Sequence, residues 1–276
     1  MQKSRIAVLA LFGLAASFWG THIFALEGAD SSAAEKAPLQ RFQTPRAALR
    51  AGLEDFRSGD SGAAIEALKY AATGGELAAQ WKLAKIYATG DGVPRDDVKA
   101  YDYFSQIVAS YDEDSPNRRD VSIVSSALVA VGIYSLNGIA DTNVRPDPAR
   151  AMQMFRFAAT NFGDANAQYN LARMHLDGAG VGKDSREGLR WLKLAAEKGH
   201  LQAQALLGQM LFAGQDGIRP QRAHALMWLT LAREAASDSK KDQWIIDLYD
   251  NAMASANDED RQNALAYLED HLKRRR

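Results

Sequence analysis

The sequence of 276 residues contains no cysteine. Disulfide frameworks, thiolate metal sites and cysteine nucleophiles are therefore excluded. The same absence rules out lipid attachment through a cysteine at the start of a mature chain. Whatever holds this protein together must come from the packing of ordinary side chains.

The chain also lacks a strong charge of either sign, since its formal net charge is −1. Lys3 and Arg5 lie in an N-terminal leader that carries no acidic residue, so loss of the leader would lower the charge by two, to −3. A mildly acidic chain offers no electrostatic reason to bind nucleic acid. We expect no nucleic-acid partner.

Catalytic and metal-binding patterns are missing as well. No two of the five histidines stand at the H-x-x-x-H or H-E-x-x-H spacing of zinc sites. The acidic triplets at 112–114 and 258–260 lack the alternation and glycine of a calcium loop. Residues 59–62 (GDSG) and 178–184 (GAGVGKD) imitate a serine-protease and a phosphate-loop motif, but both lie where turns between helices are expected. We expect no cofactor, no metal and no enzyme activity.

The longest uncharged apolar run, Ile6 to Trp19, is short for a membrane span, which needs about 20 residues. It follows Lys3 and Arg5, as in a secretory signal. Residues 1–25 are therefore predicted to be a signal peptide cleaved near Ala25, which would place the protein in the periplasm. An uncleaved membrane anchor is the alternative. Residues 26–43 read as a flexible linker.

The rest of the chain repeats itself. Apolar residues at helical spacing predict two short helices within residues 187–214, and degenerate copies of this pattern recur along the chain. A glycine follows seven residues after each of four core positions: Leu83, Val131, Leu171 and Leu207. A small residue recurs in the second helix of each copy at Ala64, Ala100, Ala151, Gly188 and Ala225. Helix pairs this short bury their apolar faces only by stacking, so about five copies predict a solenoid over residues 44–236.

The pattern A-Q-x-x-L-(A/G)-x-x-Y-x-x-G, carried by Ala79, Gln80, Leu83 and Tyr87, resembles the Sel1-like repeat, a relative of the tetratricopeptide repeat. The resemblance implies an all-α, right-handed solenoid. Ser135 and His175 replace the tyrosine, and the first copy lacks the long turn. Residues 237–276 are predicted to cap the solenoid with two amphipathic helices, Ser239–Ser255 and Asp258–Arg275. Their apolar residues are Trp244, Ile245, Leu248 and Tyr249 in the first helix and Leu265, Leu268 and Leu272 in the second. Residues 111–120 read as an inserted loop, and residues 138–148 as a lengthened turn. The residues predicted to cap the helices that follow them are Thr44, Asp96 (or Asp97), Asp147 and Asp184 (or Ser185).

A solenoid of this kind offers an extended surface to another protein. In the predicted helix around Leu83 the core takes Ala79, Leu83 and Tyr87, which leaves other positions to face outward. First helices of successive pairs line the concave side in related solenoids, so these outward positions would share one groove. The candidate partner-binding residues are Lys82, Lys85, Asn170, Arg173 and Gln209. The alternative is that these five residues are ordinary solvent-exposed helix positions that bind no partner.

The whole chain, with its leader and length, is also similar to the family of periplasmic negative regulators of exopolysaccharide synthesis. That resemblance implies a partner, the periplasmic domain of a membrane sensor histidine kinase of a two-component system, which the regulator would hold inactive. It further implies that proteolysis of the regulator, as under acid conditions, would release signalling. The alternatives are a scaffold or chaperone of the cell envelope and, further off, a cell-wall-active enzyme. The sequence leaves the oligomeric state open, and also any role of His200 in sensing acid pH.

Overall fold

The computed structural model describes residues 42–112, 120–214, 216–237 and 240–274. The predicted signal peptide and all but the end of the predicted linker lie outside these residues, as do residues 113–119 of the inserted loop. The described residues form twelve helices and no strand. None of these helices is both long and apolar enough to cross a membrane. The helices are α1 Pro45–Ser58, α2 Ser61–Thr73, α3 Leu77–Thr89, α4 Asp97–Ala109, α5 Val121–Asn137, α6 Pro148–Asn161, α7 Ala165–Asp177, α8 Ser185–Glu197, α9 Leu201–Ala213, α10 Arg222–Ala235, α11 Gln243–Ser255 and α12 Asp258–Arg274.

From α1 to α11 each helix packs against the next along the chain, and α12 packs against α10. First helices of successive pairs also touch, α3 against α5 and α9 against α11. Trp81 on α3 packs against the edge of the core, and its indole N–H donates to Ser126 Oγ on α5 at 3.2 Å. The predicted all-α solenoid of helix pairs is confirmed.

The core lies between the two layers of helices and follows the repeat. Leu83 and Val131 are fully buried, and Leu171 and Leu207 are no more than 2% exposed. The two helices of a pair approach closely: a Cβ on Gly208 of α9 would lie 2.6 Å from Leu229 Cγ of α10. The predicted core register is therefore confirmed, and small residues are needed where paired helices meet.

Aspartates begin the helices at corresponding places in the repeat. The carboxylate of Asp96 accepts from Lys99 N at 3.0 Å, and that of Asp147 accepts from Arg150 N at 2.9 Å. Asp184 accepts from the backbone N–H groups of Arg186 and Glu187, both at 3.0 Å. These bonds satisfy donors that the first turn leaves free. Thr44, the predicted cap of α1, accepts from Ala47 N at 3.1 Å.

Asp164 does more than cap α7. One carboxylate oxygen accepts from Ala167 N at 2.9 Å, and the other accepts from the hydroxyl of Ser125 on α5 at 2.7 Å. We expect Asp164→Ala to destabilise the protein by about 1 kcal/mol more than Asp147→Ala, which removes a cap alone. Chemical denaturation of the two variants measures the difference. Equal destabilisation would mean that the bond between α5 and α7 contributes nothing.

The C-terminal end departs from the prediction in two ways. Helix α11 begins at Gln243 instead of Ser239, after a turn at residues 240–242. Ile245 is fully buried, whereas Trp244, predicted to share its apolar stripe, is 39% exposed. Adjacent residues on a helix point about 100° apart, so only one of the two can face α10.

Helix α12 was predicted to bury Leu265, Leu268 and Leu272 on one face. Leu268 packs against the core, but Leu265 is 62% and Leu272 46% exposed. The helix instead turns toward α10 the stripe that includes Ala264, and His271 lies edge-on to Trp228 with ring centroids 5.1 Å apart. Ala264 and His271 lie one residue before Leu265 and Leu272, respectively. Because the stripe of Ala264 and His271 faces α10, Leu265 and Leu272 point away from it.

Candidate protein-binding groove

The five residues predicted to bind a partner do not all lie together. Lys85, Arg173 and Gln209 are exposed, and Lys82 and Asn170 are half-buried. The Lys82 ammonium lies over the ring of Phe56 on α1, 3.5 Å from its centroid. The Asn170 amide donates to the backbone carbonyl of Asn166 at 2.8 Å, within its own helix. Lys82 and Asn170 are thus engaged locally.

Arg173 and Gln209, in contrast, line the same cavity, which we call the α7/α9 groove. Its volume is about 390 Å³, and it lies between two successive first helices, with α11 at one end. Both residues occupy the outward positions that the repeat predicts. The lining residues are Tyr169, Arg173, Leu176, Asp177, Leu206, Gln209, Met210, Asp216 and Trp244.

The guanidinium of Arg173 is held in place within the groove. It donates to Asp177 Oδ2 at 3.1 Å and to the Tyr169 hydroxyl at 3.3 Å. The hydrogen bond to Tyr169, and then the charges of Tyr169 and Asp177, raise the pKa of Arg173 above its usual value against the opposing effect of burial. Arg173 therefore presents a fixed cation with much of its charge already offset.

A second acid, Asp216, lies at the rim in the turn before α10. It adopts a left-handed backbone with φ 56°. Its carboxylate accepts from Lys183 Nζ at 3.0 Å and from the Ser185 hydroxyl at 3.0 Å. The hydrogen bond from Lys183, and then that from Ser185, lowers the pKa of Asp216. The groove is thus mixed in charge, not the cationic surface that the sequence suggested.

Sequence reasoning missed the apolar side of the groove. Trp244 was assigned to the apolar stripe of the C-terminal cap. Leu206 was given both to the apolar stripe of its helix and to the outward position equivalent to Lys82 and Asn170, but it was left out of the partner-binding set. The structure leaves Trp244 39% exposed at the groove and Leu206 half-buried there. The signal for Trp244 was weak, because the repeat period ends before α11 and no repeat position applies to it.

Comparison with known proteins agrees with the helix pairs. A family model of the Sel1 repeat matches residues 77–109, 125–161, 165–200 and 201–237, slightly more than half of the chain. The chain belongs to the Sel1 repeat family. The four matched Sel1 repeats begin at α3, and the pair α1–α2 precedes them.

Two bacterial relatives resemble the chain over most of its length. The exopolysaccharide production negative regulator of Rhizobium meliloti (strain 1021) is 34% identical over 221 residues, 80% of each chain. The protein of the same name from Rhizobium leguminosarum bv. viciae is 33% identical over 231 residues, 84% of each chain. The Sel1 repeat protein from Oxalobacter formigenes has a similar fold, with a TM-score of 0.59 at 20% identity over 75% of this chain and 85% of the other.

The two motif-like strings lie at turns between paired helices. Residues 59–60 connect α1 to α2, and Asp60 caps α2 by accepting from Ala63 N at 2.9 Å. Residues 178–184 connect α7 to α8, within the third matched Sel1 repeat. In that turn, Asp184 N donates to the His175 carbonyl at 2.9 Å. Both strings therefore serve the geometry of the turns.

His200 joins the third and fourth matched Sel1 repeats beside the groove. Its Nδ1 accepts from Ala203 N at 3.2 Å and so caps α9. Its ring stacks on Tyr169, with centroids 4.6 Å apart. Burial lowers the pKa of His200, against an opposing effect of the nearby Asp164. The capping bond requires an unprotonated Nδ1, so the fold favours the neutral imidazole.

This geometry predicts a pH dependence. Because the folded-state pKa of His200 is lowered, its contribution to stability is complete above the unfolded pKa of about 6.5 and is lost as the pH falls below it. Asparagine caps helices well but does not titrate. When the pH is lowered from 7.5 to 5, we expect the unfolding free energy of the unmodified protein to fall more than that of the His200→Asn variant. Denaturation series at both pH values measure this difference, and identical pH profiles would contradict it.

Proposed function

We propose that the protein is an exported negative regulator of exopolysaccharide production. It binds the periplasmic domain of a membrane sensor histidine kinase of a two-component system and holds that kinase inactive. The observation that carries the proposal is the similarity to two regulators of that name over at least 80% of both chains. The repeat fold and the α7/α9 groove support the view that it acts by binding a protein.

The composition of the groove favours a protein partner. Protein interfaces are enriched in aromatic residues, methionine and arginine, and their energetic centres hold tryptophan, tyrosine and arginine above all. The groove presents Trp244, Tyr169, Met210 and Arg173 on adjacent elements. Arg173 is already oriented by Asp177 and Tyr169, so it loses little side-chain freedom on binding.

The proposal places the mature protein in the periplasm after removal of residues 1–25. Lys3, Arg5 and the apolar run support it. We expect protein from the periplasmic fraction to begin near Ala25, as measured by intact mass. A cytosolic protein that retains Met1 would contradict export. A full-length protein in the membrane fraction would favour the uncleaved anchor.

The partner can be tested by capture from membranes. The full-length gene, expressed in its own host with a C-terminal tag, is cross-linked in intact cells, and the captured proteins are identified by mass spectrometry. We expect enrichment of a sensor histidine kinase, and higher exopolysaccharide output when the gene is deleted. Capture of envelope-assembly proteins without a kinase would favour the scaffold alternative. Lower output on deletion would contradict negative regulation.

A further inference from the structure

One position of the Sel1 repeat holds a much smaller side chain in one copy than in the others. The residues at this position in the four matched repeats are Tyr87, Ser135, His175 and Leu211. The Tyr87 ring stacks on Tyr103 with centroids 6.1 Å apart, and the Lys99 ammonium lies 5.2 Å from its centroid. Ser135 places only a hydroxymethyl group where Tyr87 places a ring.

A cavity of about 740 Å³ lies at Ser135, and we call it the α5–α6 cavity. The lengthened turn before α6 forms much of its wall, so both departures from the repeat contribute to it. Its volume is within the range of sites that hold small molecules. The lining residues are Tyr101, Ser135, Asn143, Val144, Arg145, Pro146, Asp147, Pro148, Ala149, Arg150 and Gly180.

The charge of this cavity is positive. Arg145 and Arg150 are exposed, and neither forms an ion pair with a described residue. The guanidinium carbon of Arg150 lies 5.9 Å from the centroid of the Tyr101 ring. Asp147 is the one acid among the described lining residues, and its carboxylate already accepts from Arg150 N as the cap of α6.

The cavity also borders an unsatisfied polar group. The Ser135 hydroxyl oxygen is buried and forms no hydrogen bond with a described residue. Buried polar groups are nearly always hydrogen-bonded, so such a hydroxyl calls for an explanation. A buried serine in the lining of a cavity that also has two arginines without ion pairs, at a position that elsewhere holds a larger side chain, is suited to a polar ligand.

We propose that the α5–α6 cavity binds a small molecule that carries a carboxylate. The guanidinium groups of Arg145 and Arg150 bind the carboxylate, because the planar fork of arginine matches carboxylate geometry. The Tyr101 ring and the prolines of the turn contact the remainder of the ligand. This site is formed by other helices than the α7/α9 groove and does not depend on the proposed partner.

The binding test uses the mature full-length protein with three probes: glucuronate, succinate and inorganic phosphate. Isothermal titration gives the affinity, and the melting temperature should rise with any ligand that binds the folded state. We expect at least one carboxylate to bind about tenfold more tightly than phosphate. Tighter binding of glucuronate than of succinate would indicate an acidic sugar. Equal or tighter binding of phosphate, or no binding of either carboxylate at millimolar concentration, would overturn the proposal.

Matched variants locate the site. Arg150→Gln should weaken carboxylate binding at least about tenfold. Arg156→Gln removes the same charge from an exposed position of the same helix and should leave binding unchanged. Ser135→Tyr, which introduces the side chain of the Tyr87 position, should abolish binding by filling the cavity. If Ser135→Tyr does not fold, the two arginine variants decide, and equal weakening by both would overturn the proposal.

Discussion

Leu171→Ala is expected to lower the free energy of unfolding by about 2–5 kcal/mol, the range for a buried leucine whose cavity does not collapse. Leu171 is 1% exposed and belongs to the main apolar cluster of the solenoid. Leu207→Ala, at the equivalent position of the next repeat, should cost a similar amount. Urea denaturation measures both effects.

Leu265→Ala is the matched control, since Leu265 is 62% exposed and its loss should change stability by less than about 0.5 kcal/mol. Because contacts in a solenoid are mainly between neighbouring repeats, hydrogen exchange in Leu171→Ala should increase first in α7 and the helices beside it. Losses below about half a kcal/mol at both Leu171 and Leu207 would show that the assigned core is wrong.

The largest effect on partner binding is expected from the α7/α9 groove. Trp244→Ala should weaken binding of the sensor-kinase domain about 30-fold or more, corresponding to a hot-spot loss of at least about 2 kcal/mol. Arg173→Glu should weaken it as well, because it removes the cation that Asp177 and Tyr169 hold in position and puts a negative charge in its place. Titration of the purified kinase domain against each variant gives the dissociation constants.

Arg156→Glu, on the exposed side of a second helix, controls for charge reversal away from the groove. Lys82→Glu, alone and with Arg173→Glu, tests whether the predicted surface extends to α3. All variants should keep the native helicity and melting temperature. Unchanged binding by folded Trp244→Ala and Arg173→Glu would move the interface elsewhere, with residues 111–120 as the next candidate.

The repeat pattern was sufficient to predict most of the fold. Leu83 and Leu171 recur at one register, and a small residue recurs in each second helix, so periodicity identified the core. The helix starts could also be predicted, because the carboxylates of Asp96 and Asp147 accept hydrogen bonds from backbone N–H groups only three residues further along the chain. Such local and repeated interactions leave a direct trace in one sequence.

Interactions that occur only once left no such trace. The exposure of Trp244 and Leu265 depends on how α11 and α12 dock on α10, and no repeat constrains that docking. The pairing of Arg173 with Asp177 and Tyr169 removed much of the charge that the sequence assigned to the groove. Ser135 was visible as a departure from the repeat, but the cavity beside it depends on the path of the turn before α6.

The most direct test of the proposed function is site-specific photo-cross-linking in living cells. A photoreactive amino acid replaces Gln209, an exposed residue of the α7/α9 groove, and in a second strain replaces Arg156. We expect the probe at position 209 to cross-link to the periplasmic domain of a sensor histidine kinase and the probe at position 156 not to do so. A kinase adduct from position 156 with none from position 209, or no kinase adduct from either, would contradict it.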